Sequence, residues 1–496
     1  MISAEVLAAW AGGIGVVGVL WAAWVSVREG EPRAAVRLVG LGLLLSLLFF
    51  VPVLLPGPVA TWLSWILLGG AGVLALLFLI PLRGRNDLSW GEPMPGVDER
   101  DIMFSRAALS PGTERFAEHY RRRPEHRDPD ASFRKEPGLL DAGAIHHHPL
   151  GFPAADAAFW TIERLRPWVE GHASETESEG SGGRGPGEQS GDVGGVKLGG
   201  EASVDASASN LPATASELTR FLKGWLTKIG AHSVGVTTLR DYHLYSHVGR
   251  GAEYGEPVEL DHPFALALTV EMDREMVDPA PRSPTVMESA LQYLRAGVMA
   301  VQVADLIRRL GYRARAHVDG NYRVICPLVA RDAGLGELGR MGLLMTPRLG
   351  PRVRIAVVTT DLPLVADSAC SDSTVIDFCL RCRKCAEVCP SQAISLDPPR
   401  DDEHGVRRWK IDAEACFTLW TRMGTDCARC MAVCPYSHPD NLLHGAVRWG
   451  IRNNGLFRGA AVWMDDLIYG RRPPPKELPG WMALSESRRA GERMKR

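Results

Sequence analysis

The sequence predicts an α/β protein in which a three-helix membrane anchor precedes a mixed α/β domain and a small cysteine-rich domain. Three observations predict it. Apolar residues concentrate in the first 82 of 496 positions. Strand-like and helix-like segments alternate between Glu217 and Thr359. All ten cysteines fall between Cys326 and Cys434. The averages conceal this, because 46% hydrophobic residues, 23% charged residues and a net charge of −2 describe an ordinary soluble enzyme. That charge offers no bulk attraction to nucleic acid, and no nucleic-acid partner is expected. The composition also excludes collagen-like, coiled-coil and globally disordered chains.

The anchor comes first. No charge occurs from Val6 to Val27 or from Leu38 to Leu82, and Pro52, Pro56, Gly57 and Pro58 break the second run. Helices are therefore expected near Val6–Val27, Leu38–Leu55 and Ala60–Leu82. A bilayer core about 30 Å thick needs about 20 apolar residues per helix, which all three supply, the second by a small margin. A signal peptide would want a basic start, and no Lys or Arg precedes the first run. Arg28, Arg33 and Arg37 lie in the first loop and Arg83 and Arg85 at the exit, whereas the second loop has none. Basic residues stay on the cytoplasmic side, so the expectation is a multi-pass cell-membrane protein whose large part faces the cytoplasm. Trp62 and Trp65 suit an interfacial belt and suit core packing equally.

The soluble part begins with a polar stretch, Pro93–Pro137, expected to be a solvated surface with short helices. Ala154–Val169 reads as an amphipathic helix. Ser174–Asn210 is rich in Gly, Ser and Glu and is expected to be a disordered linker or insertion, because it cannot bury enough apolar area to offset chain entropy. His146–His148 are not expected to converge on one metal. From Glu217 the pattern is mixed, with a helix at Glu217–Ile229, strands at Ser233–Thr238 and Ala265–Glu271, a helix at Ser289–Leu310 and a β-branched strand at Val353–Thr359. This alternation suggests a layered α/β domain. Gly334-x-Gly336-x-x-Gly339 matches a dinucleotide fingerprint in letters but follows no clear strand, and no nucleotide site is assigned.

Cys379-x2-Cys382-x2-Cys385-x3-Cys389-Pro390 has the spacing that wraps a [4Fe–4S] cluster in ferredoxins. Cys416 and Cys427-x2-Cys430-x3-Cys434-Pro435 form a second group. The trailing cysteine of each run ligates the other cluster. One cluster is thus expected on Cys379, Cys382, Cys385 and Cys434, the other on Cys389, Cys416, Cys427 and Cys430, giving a ferredoxin-like two-cluster domain. Zinc sites use two pairs rather than a triple followed by Cys-Pro, and a reducing compartment disfavours disulfides. Cys326 and Cys370 are left as ordinary thiols. About 290 residues separate the anchor from the first cluster cysteine, enough for another cofactor or a substrate pocket.

Several stretches together resemble reductive dehalogenases: Asp98–Phe104, Tyr242–Arg250, Ala333–Gly342, Pro351–Arg354, both cysteine groups, Cys434–Pro439, Val447–Ile451 and Asp465–Arg471. The resemblance covers most of Asp98 to Trp481, apart from the low-complexity insert. It implies a nitroreductase-like α/β domain holding a cobalamin (corrinoid) base-off beside two [4Fe–4S] clusters. The activity implied is reductive cleavage of a carbon–halogen bond with release of halide from an organohalide. By position, Tyr293 resembles the family's proton donor, Arg354 the basic residue beside it, and Asn321 a further polar residue. A neighbouring cation lowers a tyrosine pKa from about 10 by favouring the phenolate, which is the effect expected of Arg354 on Tyr293. Asp241-x-His243 begins like a cobalamin-binding motif, but Ser246 stands where Gly is expected, and His243 is not assigned to cobalt. Many members carry a twin-arginine leader and a separate anchor protein. This chain instead brings three apolar runs, which favours a cytoplasm-facing enzyme. The electron donor expected is a membrane quinol, a ferredoxin or a flavodoxin.

The expected organisation is an anchor (1–85), an N-terminal cap region (86–173), a linker (174–212), a corrinoid-binding α/β domain (213–370), a two-cluster domain (371–440) and a C-terminal extension (441–496). Two other readings share the cysteines: a corrinoid and iron–sulfur enzyme like epoxyqueuosine reductase, and a non-catalytic membrane-bound electron-transfer subunit.

Overall fold

A computed structural model describes residues 3–55, 57–81, 90, 95–171, 212–369, 372–401 and 407–484. Arg83, Arg85, Cys370 and the segment 174–211 lie outside the described residues.

Three apolar helices open the chain: Ala4–Arg28, Pro32–Leu54 and Pro58–Leu79. Each is long and apolar enough to cross a membrane. The second starts six residues before the expected Leu38, because Pro32 sits in its first turn, where its missing N–H costs nothing. That gives 23 residues, so its length is no longer marginal. Trp62 and Trp65 are exposed, which removes core packing as their explanation.

The central sheet has four strands: β1 (Ser233–Thr238), β2 (Phe264–Glu271), β3 (Ala314–His317) and β4 (Val353–Thr360). Their order is β1-β2-β4-β3 and every pair is antiparallel. Ala265 to Val270 of β2 are all buried, so both faces of the sheet are covered. Side chains alternate between faces with a period of two. Leu266, Leu268, Ala356 and Val358 pack with Leu222, Ala300, Val303 and Ile307 on one face. Ala265, Ala267 and Val357 pack with Val329 and Ala330 on the other. The first face is covered by the helices Ala215–Lys228 and Pro284–Arg309. The second is covered by the short helix Cys326–Asp332. The helix at Ala215 starts two residues earlier than expected, at a Thr214/Glu217 capping box.

The stretch expected to be a solvated surface is more than that. It holds the helices Met103–Ala107, Glu114–Arg122 and Arg127–Arg134. Arg106 is fully buried and pairs with Asp130 at 3.2 Å and Glu414 at 2.7 Å, which ties this region to the cysteine domain. Charges are buried only when paired, and the sequence gives no sign of partners so distant. The helix expected over Ala154–Val169 runs from Gly151 to Glu163, and a short 3-10 turn, Arg166–Trp168, follows.

Two helices, Leu442–Asn453 and Gly455–Ile468, follow the cysteine groups. They join the three apolar helices to the cysteine domain. Arg458 pairs with Asp377 at 2.7 Å, and Lys384 forms a buried ion pair with Asp465. On the other side, Phe78 of the third apolar helix packs against Trp449 and Phe457, with ring centroids 5.4 and 4.9 Å apart.

Candidate functional site

Nine free cysteines occur among the described residues and none is paired in a disulfide. Eight of them gather in two groups. Cys434 faces Cys379, Cys382 and Cys385. Cys427 faces Cys416 and Cys389, and Cys430 faces all three. Cys430 also faces Cys385, so the two groups adjoin. Burial pushes the thiols up, Cys382 and Cys427 to about 12 and Cys416 to about 11. Free buried thiols brought together in fours match the donor set of an iron–sulfur cluster, which binds them as thiolates. Buried cations stand beside the first group. Arg340 donates to the carbonyl of Cys379 at 3.1 Å, and Lys384 lies between Cys382 and Cys385 in sequence.

The glycine-rich stretch packs against this group. Glu337–Leu338 and Leu344–Met345 form a two-stranded ladder. A Cβ on Gly336 would lie 2.3 Å from the carbonyl oxygen of Met345, and one on Gly339 would lie 2.7 Å from Cγ of Met345. These glycines thus permit close backbone packing beside Cys379.

Arg354 belongs to β4 and lies opposite Val270 of β2. Its period-two position puts it on the face of Ala356 and Val358, toward the helix that carries Tyr293. Its guanidinium carbon sits 4.8 Å from the ring centroid of Tyr293, a cation–π arrangement. Ser289 precedes Tyr293 by one helical turn and points to the same place. Arg354 donates to Ser289 Oγ and, at 3.0 Å, to Asp426 Oδ2, while the Ser289 hydroxyl also bonds Asp426. Asp426 directly precedes Cys427. The sheet, the long helix and the cysteine loop therefore meet at one ion pair. Two buried atoms here have no partner among the described residues, Arg354 Nε and Asp426 Oδ1.

A second arginine–tyrosine pair lies alongside. Arg250 stands over Tyr322 at 5.9 Å, and the Tyr322 hydroxyl donates to Asp319 at 3.3 Å. Arg250 is fixed by Glu99, at 3.0 Å and 2% exposed. The Asp319 carboxylate acts on both tyrosines.

The electrostatics correct one expectation. Burial raises Tyr293 above its ordinary pKa; Arg354 opposes this, and Asp319 and Asp426 add to it. The net direction is upward because desolvation of the phenolate outweighs the cation. Tyr293 therefore stays protonated at neutral pH.

Asn321 is brought elsewhere. Its Oδ1 accepts from Arg315 at 2.7 Å and Arg323 at 3.4 Å. Those two arginines also line a cavity of about 850 Å³ whose walls include neither Tyr293 nor Arg354. Both nitrogens of His243 are engaged, one with Asp332 at 2.9 Å and the other with the Arg240 backbone N–H at 3.1 Å. It has no free nitrogen for a metal. Cys326, left as an ordinary thiol, is buried among Tyr245, Tyr293 and Tyr322.

Sequence reasoning missed Ser289, Asp319, Tyr322 and Asp426. Ser289 carried a usable signal, its i, i+4 relation to Tyr293. Asp426 adjoins Cys427 in sequence, but nothing there marks Arg354 as its partner. Glu99 and Arg250 lie in two of the stretches that carry the family resemblance, with no role attached to them.

Residues 378–438 match the family model described as 4Fe-4S dicluster domain. The chain is 31% identical over 291 residues to a tetrachloroethene reductive dehalogenase from Sulfurospirillum multivorans, covering 52% of this chain and 58% of that protein. It is 40% identical over 196 residues to one from Desulfitobacterium hafniense, covering 37% of this chain and 34% of that one. The fold matches a solved reductive dehalogenase, described in terms of B12-dependent dehalogenation, with a TM-score of 0.52 and 25% identity, over 70% of this chain and 46% of that one. The chain thus spans about half the length, or less, of the relatives it matches. Its similarity is to reductive dehalogenases, in a mixed helix and sheet fold with an iron–sulfur domain.

Proposed function

We propose that this chain is a membrane-anchored, corrinoid-dependent reductive dehalogenase that replaces the halogen of an organohalide with hydrogen. The balance is two electrons and one proton consumed, and one halide released. The observation that carries the reading is the ion pair of Arg354 and Asp426, which joins the residue over Tyr293 to the residue before Cys427.

The bound corrinoid supplies the cobalt centre at which the carbon–halogen bond is cleaved. Its fit is supported by the two unpartnered buried atoms beside Tyr293, Arg354 Nε and Asp426 Oδ1. The face that would border it carries Tyr293, Arg354 and Tyr322. His243, engaged at both nitrogens, would not be among the residues that hold it. Cys379, Cys382, Cys385 and Cys434 would hold one [4Fe–4S] cluster, and Cys389, Cys416, Cys427 and Cys430 the other.

Tyr293 holds a proton at its phenolic oxygen and donates it to the carbon. Its raised pKa keeps the donor loaded, and Arg354 stabilises the phenolate left behind. Asp426 and Ser289 hold Arg354 in place over the ring. Asn321 acts at one remove, fixing the turn that carries Asp319 and Tyr322 through Arg315 and Arg323. The clusters that the adjoining cysteine groups would hold would supply electrons one at a time, received from a quinol, ferredoxin or flavodoxin. Arg28, Arg33 and Arg37 beside the first loop of the three apolar helices support a globular part that faces the cytoplasm.

The test is the cofactor content of protein produced and purified anaerobically with cobalamin supplied. Iron and sulfide for two clusters, together with about one corrinoid per chain, support the reading. Full iron and sulfide with no corrinoid would leave only the electron-transfer reading.

A further inference from the structure

The two C-terminal helices bury charged side chains together with part of their apolar surface and carry a further apolar stripe outward. On Gly455–Ile468 the buried face is Gly455, Arg458, Ala461 and Asp465, whereas Leu456, Ala460, Trp463 and Leu467 form an exposed stripe. Leu442–Asn453 is similar: His444 and Arg448 are buried with Ile451, and Leu442, Ala446 and Trp449 face outward, followed by the exposed Arg452. Leu442 is 83% exposed, Leu456 66% and Trp463 65%. A helix on a water-facing surface carries charged and polar residues on its outer face. The buried charges are held from within, Arg458 by Asp377 and Asp465 by Lys384 and His438, so the apolar stripes cannot simply turn inward.

What covers the stripes follows from their neighbours. The third apolar helix has 22 residues, about 33 Å at 1.5 Å per residue, so its ends reach the surface of a bilayer core about 30 Å thick. At that end Phe78 touches Trp449 and Phe457, and Asn454, between the two C-terminal helices, donates to the carbonyl of Ile80 at 3.2 Å. Arg37, early in the second apolar helix, donates to the carbonyls of Leu467 and Ile468 at 3.0 and 3.1 Å. Both C-terminal helices are thus held at the level where the anchor leaves the membrane. Tryptophan and leucine on one helix face are the side chains that settle into the headgroup and acyl boundary.

We infer that the helices Leu442–Asn453 and Gly455–Ile468 form a second, in-plane membrane contact, with Leu442, Trp449, Leu456, Trp463 and Leu467 inserted in the lipid interface. This rests on the membrane reading of the three apolar helices. It seats the group of Cys379, Cys382, Cys385 and Cys434 directly over the lipid surface, through Lys384–Asp465 and Asp377–Arg458.

The test uses the full chain in nanodiscs of phosphatidylethanolamine and phosphatidylglycerol. The photo-cross-linker p-benzoylphenylalanine replaces Trp463, Leu456, Leu74 of the third apolar helix, or Trp160 of the helix Gly151–Glu163, one at a time. All four positions are exposed, so each replacement leaves the core intact. Lipid adducts are expected in similar yield at Trp463, Leu456 and Leu74, and roughly tenfold less at Trp160. Adducts at Leu74 with none at Trp463 and Leu456 would overturn the in-plane contact and leave the anchor standing. Their absence at Leu74 would overturn the anchor as well.

Discussion

Arg354 meets Asp426 at 3.0 Å across the boundary between the sheet and the cysteine loop, and the same guanidinium lies over the ring of Tyr293. Both partners are nearly buried, with side chains 13% and 9% exposed. One contact thereby fixes the distance between the proposed proton donor and the loop of Cys427.

Removing one member of this pair should be costly. Arg354→Met leaves Asp426 buried without a cation, and breaking a buried pair from one side costs about 3–5 kcal/mol. Anaerobic denaturant titration should show that loss. The double variant Arg354→Met/Asp426→Asn should recover a large part of it, since no uncompensated charge remains. Equal destabilisation by the single and double variants would mean that the pair is not coupled.

Tyr293→Phe removes one hydroxyl and keeps the ring under Arg354. Positioned general acids contribute about 10²–10⁴-fold to rate, and turnover should fall within that range. Iron and sulfide content should be unchanged, and the electron paramagnetic resonance signals of the reduced clusters should persist. Undiminished halide release would remove Tyr293 as the donor.

Gly336→Ala tests the glycine-rich stretch as a packing device. The new Cβ would meet the carbonyl of Met345 at 2.3 Å, so the ladder beside Cys379 must shift. Overpacking of this kind costs about 1–3 kcal/mol. A lower thermal midpoint and lower iron occupancy are expected. A variant as stable and as fully loaded as the parent would contradict the packing account.

His119 supplies a pH dependence. Burial and the neighbouring Arg122 lower it from 6.5 to about 4. The unfolded chain therefore binds a proton that the folded chain refuses between these values. This stability is fully present above pH 6.5 and is lost as pH falls toward 4, to an extent on the order of 2 kcal/mol. Denaturant midpoints measured at pH 7 and pH 5 should drop less in His119→Gln than in the parent. Parallel drops would show that other groups carry the acid sensitivity.

The periodic features were legible in the sequence. The apolar runs, the strand from Ser233 to Thr238 and the helix carrying Tyr293 follow from hydropathy and period, because local burial dictates them. Cys434 could be grouped with Cys379 from spacing rules alone. The pairing of Arg354 with Asp426, 72 residues apart, could not be read that way. Nor could the burial of Arg106 with Asp130 and Glu414, or the buried charges of the C-terminal helices. In each case a charged residue looks like solvated surface until its partner is known. The Tyr293 pKa was misjudged for a related reason: the cation was visible in the sequence, but the desolvation that outweighs it was not.

The central claim is tested most directly by halide release. The full-length protein, loaded anaerobically with cobalamin and reduced, should free halide from at least one member of a panel of chlorinated and brominated alkenes and phenols. Release should require both corrinoid and reductant and should fall by about 10²–10⁴-fold in Tyr293→Phe. Protein that carries corrinoid and reducible clusters yet frees no halide from any of them would contradict the dehalogenase assignment.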